Sequence, residues 1–274
     1  RTLTPQPDDA HRFLYWSGDI DGLAIDEEGV VTLPADGKVR TLVCHFVAKD
    51  STAAAREWTG DGGTADWSDA ANWGPAGAPG DDDALTIPAG SAVTLGAATS
   101  NLNALVIAGT VTVTNWEACI RAAEVRIAKG GVLTCTGAFK KEAMGRVWIQ
   151  CEDLTVEAGG KIDVDFCGYL SHEKSTVSTT LYNGYGPGMG RQYGMGAAHG
   201  GLGGFAVHSV GNQAILKCLP DFSDVLYDDP AAPVEPGSSG RSSYWSRGGN
   251  GGGAVRIEAT GHVAVMGSVL ASGG

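Results

Sequence analysis

What most constrains this chain is a short pattern that returns along its second half: apolar-x-apolar, a glycine-containing corner, then apolar-x-apolar. It reads LTIPAGSAVTL from Leu85, LVIAGTVTV from Leu105, VRIAKGGVLTC from Val125, LTVEAGGKIDV from Leu154 and VRIEATGHVAV from Val255. The first three starts are 20 residues apart, the fourth follows after 29 and the fifth after 101. A period near 20 with strand-like alternation marks a solenoid. One unit cannot cover the face that carries Leu85, Ile87, Val93 and Leu95; a second unit bearing Leu105, Ile107, Val111 and Val113 covers it by stacking. Gly90, Gly109, Gly130 and Gly159 fall between the half-units, where the backbone must turn through angles that side chains resist. The predicted fold is therefore all-β: a right-handed parallel β-helix over residues 81–274, interrupted by a long glycine-rich insertion at 166–253. MGRVWIQC reads as one more strand, with Val147, Ile149 and Cys151 facing inward.

Charge excludes some functions. The chain carries 19 basic and 31 acidic residues, a net charge of −12, which speaks against nucleic acid and anionic membrane as partners. No apolar run approaches the ~18 residues of a membrane span. The six cysteines (Cys44, Cys119, Cys135, Cys151, Cys167, Cys218) form no CxxC pair, so a structural zinc site is not expected. The central four are each 16 residues apart, which leaves buried thiols and a disulfide between neighbouring units both open.

Residues 1–48 read as strands split by Asp/Gly turns such as SGDIDG and PADGK. Phe13, Trp16, Ser17, Gly18 and Asp19, followed by Thr32, Leu33, Asp36, Val39 and Phe46, resemble the motif of the divergent internalin B-repeat family, small β-grasp-like modules of bacterial surface proteins. The match covers about the last two-thirds of such a module. The resemblance thus implies a partial module whose front strands precede Arg1, and other domains of one longer chain as partners.

Residues 49–80 form a Trp-rich linker. Trp58, Trp67, Asn72 and Trp73, with Pro79, Gly80 and Asp82, resemble the segment that opens autotransporter-passenger-like β-helices. That resemblance makes the tryptophans a cap on the first unit, with sugar stacking as the alternative. Within the insertion, Tyr227, Asp229, Pro230, Pro233, Pro236, Gly237 and Gly240 resemble glycine-rich β-helix regions of large bacterial surface and secreted proteins, with Asp228 where glycine is commoner. Aromatic residues threaded through the glycines predict a compact loop rather than a linker. Together these resemblances imply an extracellular location, on the bacterial surface or secreted.

No motif declares a chemistry. Asp163, Asp165 and Arg256 are the candidates for a polygalacturonase- or lyase-like site, which needs paired carboxylates and a base. Arg126 and Arg256 take the same place in their repeats, with Thr155 between. Tyr185, Tyr193, Tyr244 and Trp245 are candidate platforms for a glycan. Calcium is the one cofactor the acidic turns suggest, through Asp19 and Asp21 or through Asp81, Asp82 and Asp83, against the simpler reading of an ordinary turn and a solvated charge run. His172, His199 and His208 could meet Asp221, Asp224 or Asp228 but lack metal-site spacing. GMGAAHG and GNGGG have no strand-loop-helix context for a nucleotide. The expectation is a non-catalytic structural or adhesive segment whose partners are glycans or host and cell-surface proteins. A carbohydrate-active enzyme or binding module is the alternative. The last unit should leave Val265, Val269 and Leu270 uncovered unless the chain or a partner continues the stack.

Overall fold

The computed structural model describes residues 1–20, 23–26, 28–141, 145–172, 184–190, 196–199, 209–210, 213–214, 226–229, 234–242 and 247–274. Among these the chain is all-β. Among the described residues the only helical element is a single 3-10 turn, Ala70–Asn72, and no helix there is long and apolar enough to cross a membrane.

The N-terminal region contains β1 (Thr2–Leu3), β2 (His11–Gly18), β3 (Ala24–Ile25), β4 (Val31–Thr32) and β5 (Leu42–Ala48). β2 and β5 pair antiparallel, while β1, β4 and β3 form a small antiparallel sheet in that order. Alternation in β2 turns Leu14 into a second, smaller core with Ala53, Ala84 and Ala104, against which Tyr15 and Val47 pack. Tyr15 also lies flat on His45, with centroids 4.1 Å apart, and its hydroxyl donates to Asn103 Oδ1 at 3.4 Å.

β6 (Ala55–Trp58) begins the ladder and pairs antiparallel with β7 (Trp73–Gly74) and parallel with β8 (Ala84–Ile87). Then follow β9 (Ala92–Leu95), β10 (Leu102–Ile107), β11 (Thr110–Val113), β12 (Ile120–Ile127), β13 (Val132–Cys135), β14 (Val147–Val156) and β15 (Lys161–Asp163). After a short antiparallel pair, β16 (Ser209–Val210) and β17 (Gln213–Ala214), come β18 (Val255–Ala259), β19 (Val263–Val265) and β20 (Ser268–Leu270). One sheet runs β18-β14-β12-β10-β8-β6-β7, with β19 also on β14; a second runs β20-β15-β13-β11-β9.

Register explains the repeat. Leu85, Leu105, Val125, Leu154 and Val263 pair in one column, and Ile87, Ile107, Ile127, Val156 and Val265 in another. Val93, Val111, Leu133, Ile162 and Val269 form a third column in the second sheet. In the first four units these side chains are almost wholly buried, and each contributes about 1.5–3 kcal/mol. Alternation breaks once inside β12 and again inside β14: Ala122 and Cys151 face in, and so do Val125 and Leu154 three residues later. A phase shift of this kind bends a strand while keeping apolar residues inside.

The corners are of two kinds. Four-residue corners hold Gly90, Gly130 and Gly159 at φ of 86°, 85° and 90°, as the sequence predicts. Gly109 departs from that expectation. It sits in a two-residue corner, where a Cβ would come within 2.5 Å of Pro88 O and 2.7 Å of Ser91 O, so close approach rather than φ demands glycine.

The last unit also departs from the predicted alignment. VRIEA pairs with Val147–Cys151, and it is Val263–Val265, a two-residue corner and Ser268–Leu270 that continue the repeat. Arg256 therefore lies beside Trp148 and is not equivalent to Arg126, which pairs with Thr155. Two adjacent alternating runs have the same period, so alternation alone could not choose between these registers. This unit is open: Val263, Val265 and Val269 are 52, 48 and 42% exposed, against 1% or less for Leu154, Val156 and Ile162.

The opposite end is closed. Trp58, Trp67 and Trp73 are buried in the main core and meet edge to face, with centroids 5.2 and 5.1 Å apart. Asn72 ties their loop through Nδ2 to Thr64 and Asp66. Described parts of the insertion pack as layers of hydrogen-bonded backbone, Tyr169 N–H to Gly237 O and Gly237 N–H to Gly252 O among them. Gly251 would place a Cβ 1.7 Å from Gly237 O, so these backbones touch only because they lack side chains. Asp228 takes φ of 65°, in keeping with a position where glycine is commoner. Cys44, Cys119, Cys135, Cys151 and Cys167 are free thiols, and Cys218 lies outside the described residues. Their 16-residue spacing is not the structural period: Cys135 pairs with Val113, whereas Cys151 pairs with Ala122 and Ala259.

Candidate functional site

The acidic candidates serve the backbone. Asp163 Oδ1 accepts the Asp165 N–H at 3.2 Å, and Asp165 Oδ1 accepts the Ser272 N–H at 2.5 Å. Arg256 Nε donates to Glu258 Oε1 at 3.0 Å. Among the described residues no hydrogen bond or ion pair joins Arg256 to either aspartate, so the structure does not bring these three together.

The Asp81–Asp83 run divides. Asp81 accepts the Asn101 N–H at 2.8 Å, and Asp82 is exposed with φ of 62°. Asp83 is not solvated as a charge run would be. It is 1% exposed, paired with Arg56 Nε at 2.7 Å, and accepts the N–H groups of Ala54 and Gly80. Asp19 Oδ2 accepts the Thr41 N–H at 2.8 Å; Asp21 lies outside the described residues. Among those described, no three His, Cys, Asp or Glu side chains gather in a group that could hold a metal ion.

Of the candidate platforms, Tyr193, Tyr244 and Trp245 lie outside the described residues. Tyr185 is half-buried, stacked on His172 with centroids 5.1 Å apart, and its hydroxyl is 3.1 Å from His172 Nε2. His199 meets Asp228, Nε2 to Oδ2 at 3.3 Å. Burial alone would raise the Asp228 pKa, but N–H donors from Glu235, Asp229 and Val234, together with His199, hold it below the ordinary carboxylate value. His208, Asp221 and Asp224 are outside the described residues.

One assembly emerges that the candidates above only touch through Arg256. It lies on the outer face of the first sheet, where β12, β14 and β18 run side by side. Alternation puts Val147, Ile149 and Cys151 inside and so presents Trp148 and Gln150 outward, with Arg256 and Glu258 paired alongside them. The Arg146 guanidinium lies 4.6 Å from the Trp116 ring centroid and 4.5 Å from that of Trp148; Arg256 lies 4.9 Å from Trp148. Glu258 accepts from Gln150 Nε2 at 2.7 Å, Trp148 Nε1 at 3.0 Å and the Arg256 guanidinium. Those donors hold its pKa at about 2, below the usual 4.5. Arg121 Nε extends the chain to Gln150 Oε1 at 3.3 Å. Burial pushes the Arg146 pKa down.

No family model, curated protein or solved structure matches this chain.

The residues of the assembly are therefore read on their chemistry alone. Trp148 was legible, as an outward tryptophan between inward Val147 and Ile149. Trp116 and Arg146 lie in irregular connections, and no sequence signal brings them to it.

Proposed function

We propose that this chain is a non-catalytic structural and adhesive segment of a bacterial cell-surface or secreted protein, built on a right-handed parallel β-helix. One observation carries the reading: five strand-corner-strand units stack in parallel register, with matching columns buried from Leu85 to Val156. A rod of that kind holds loops rigidly without needing any of them for its core, and such loops can carry recognition. Resemblance of the N-terminal residues to internalin B-repeats, and of the Trp-rich and glycine-rich segments to surface β-helices, supports the location. The acidic charge suits a soluble extracellular setting. Against the rival enzyme reading, Asp163 and Asp165 cap backbone N–H groups and Arg256 serves Glu258.

The test is incubation of the purified chain with neutral and acidic polysaccharides, following new reducing ends and unsaturated products. Melting curves with chelator, with calcium and with each glycan accompany it. We expect no product, and a rise in midpoint only with ligands the native state binds. Product formation that survives repurification sinks the non-catalytic reading.

A further inference from the structure

We propose that the Trp116–Arg146–Trp148–Arg256 face is a binding site for the carboxylate of an acidic oligosaccharide. Arg146 is 7% exposed, yet its Nε donates only to the Trp116 carbonyl, at 3.0 Å. Its two Nη groups donate to nothing among the described residues, and no carboxylate pairs with it there. Glu117 and Glu235 act on it only through space. The two indole rings attract its charge but accept no N–H in the guanidinium plane. Water reaches its Nη groups in the free protein, and a bidentate carboxylate would take that water's place.

The chemistry of that partner follows from shape. With indole rings against it, a guanidinium offers its in-plane edge, two parallel N–H donors that match a planar carboxylate. Glu258 already shows that this face holds carboxylate, taking donors from Trp148, Gln150 and Arg256 at once. Half-buried indoles beside an amide side chain suit a sugar ring, with its apolar C–H face and hydroxyl rim, better than an extended peptide.

The experiment is titration calorimetry of the full chain with a uronic-acid trisaccharide and with its neutral counterpart, while the Trp148 indole N–H resonance is followed. We expect saturable binding of the uronate, at least about tenfold weaker binding of the neutral sugar, and a shifted Trp148 resonance. Arg146→Lys, which keeps the charge and loses the fork, should weaken uronate binding roughly tenfold. Absence of saturable uronate binding, equal affinity for both sugars, or full affinity in Arg146→Lys overturns the proposal. If Arg146→Lys does not fold, the changes Arg256→Ala and Gln150→Ala, at an exposed and a half-buried position, decide it, since unaltered affinity in both overturns it equally. The site does not rest on the scaffold reading. Catalysis would sink that reading and leave this one, whereas failed uronate binding does the reverse.

Discussion

At the level of single residues, glycine separates two physical demands that look alike in sequence. Gly130 has φ of 85° and open space where a Cβ would lie, whereas a Cβ on its neighbour Gly131 would lie 2.0 Å from Ile107 O. Gly130→Ala should therefore cost only left-handed strain, about 1–2 kcal/mol. Gly131→Ala must push two stacked units apart and should cost about 3 kcal/mol, the upper end of overpacking. Urea unfolding of the two variants checks the order, and equal losses would contradict it. Gly130 was readable as the turning glycine, but the demand on Gly131 depended on the Ile107 carbonyl of the unit beneath.

Between elements, stacking is reinforced on the outer face by side chains that cross from one unit to the next. Glu258 on β18 receives Trp148 and Gln150 of β14. Because its folded pKa is about 2 against an ordinary 4.5, its ionised form favours the folded state. That contribution is complete above the unfolded value and is lost as pH falls through the folded one. Thermal midpoints measured from pH 5 down to pH 2 should decline, and Glu258→Gln should flatten the decline in that window. An unchanged slope would show that Glu258 does not join the units in solution. The columns of Leu, Ile and Val were legible because stacking preserves residue character. The register of β18 was not, since VRIEA and VAV alternate equally well and only the partner strand distinguishes them.

Across the whole molecule, two separate apolar clusters divide the labour. The main one runs from Trp58, Trp67 and Trp73 to Val164, and the smaller joins Leu14 to Ala53, Ala84 and Ala104. Ala84 and Ala104 share a column whose next members are Glu124 and Asp153, so the small residues lie where the N-terminal hairpin docks and charge returns beyond it. Ala104→Arg should cost about 1–3 kcal/mol locally. It should raise amide exchange in β2 and β5 while the ladder keeps its protection, and a uniform rise along the chain would refute that division.

The all-β class, the parallel unit, its buried columns and the corners at Gly90, Gly130 and Gly159 were legible in the residues. All of these repeat or alternate at a spacing that burial imposes. Packing alone set the Asp83–Arg56 pair, the strand beside Arg256 and the convergence of Trp116 with Arg146 and Trp148. Asp83 and Arg56, Arg256 and Trp148, and Arg146 and Trp116 are distant in the chain and follow no common period, so only the packed geometry brings their side chains within reach.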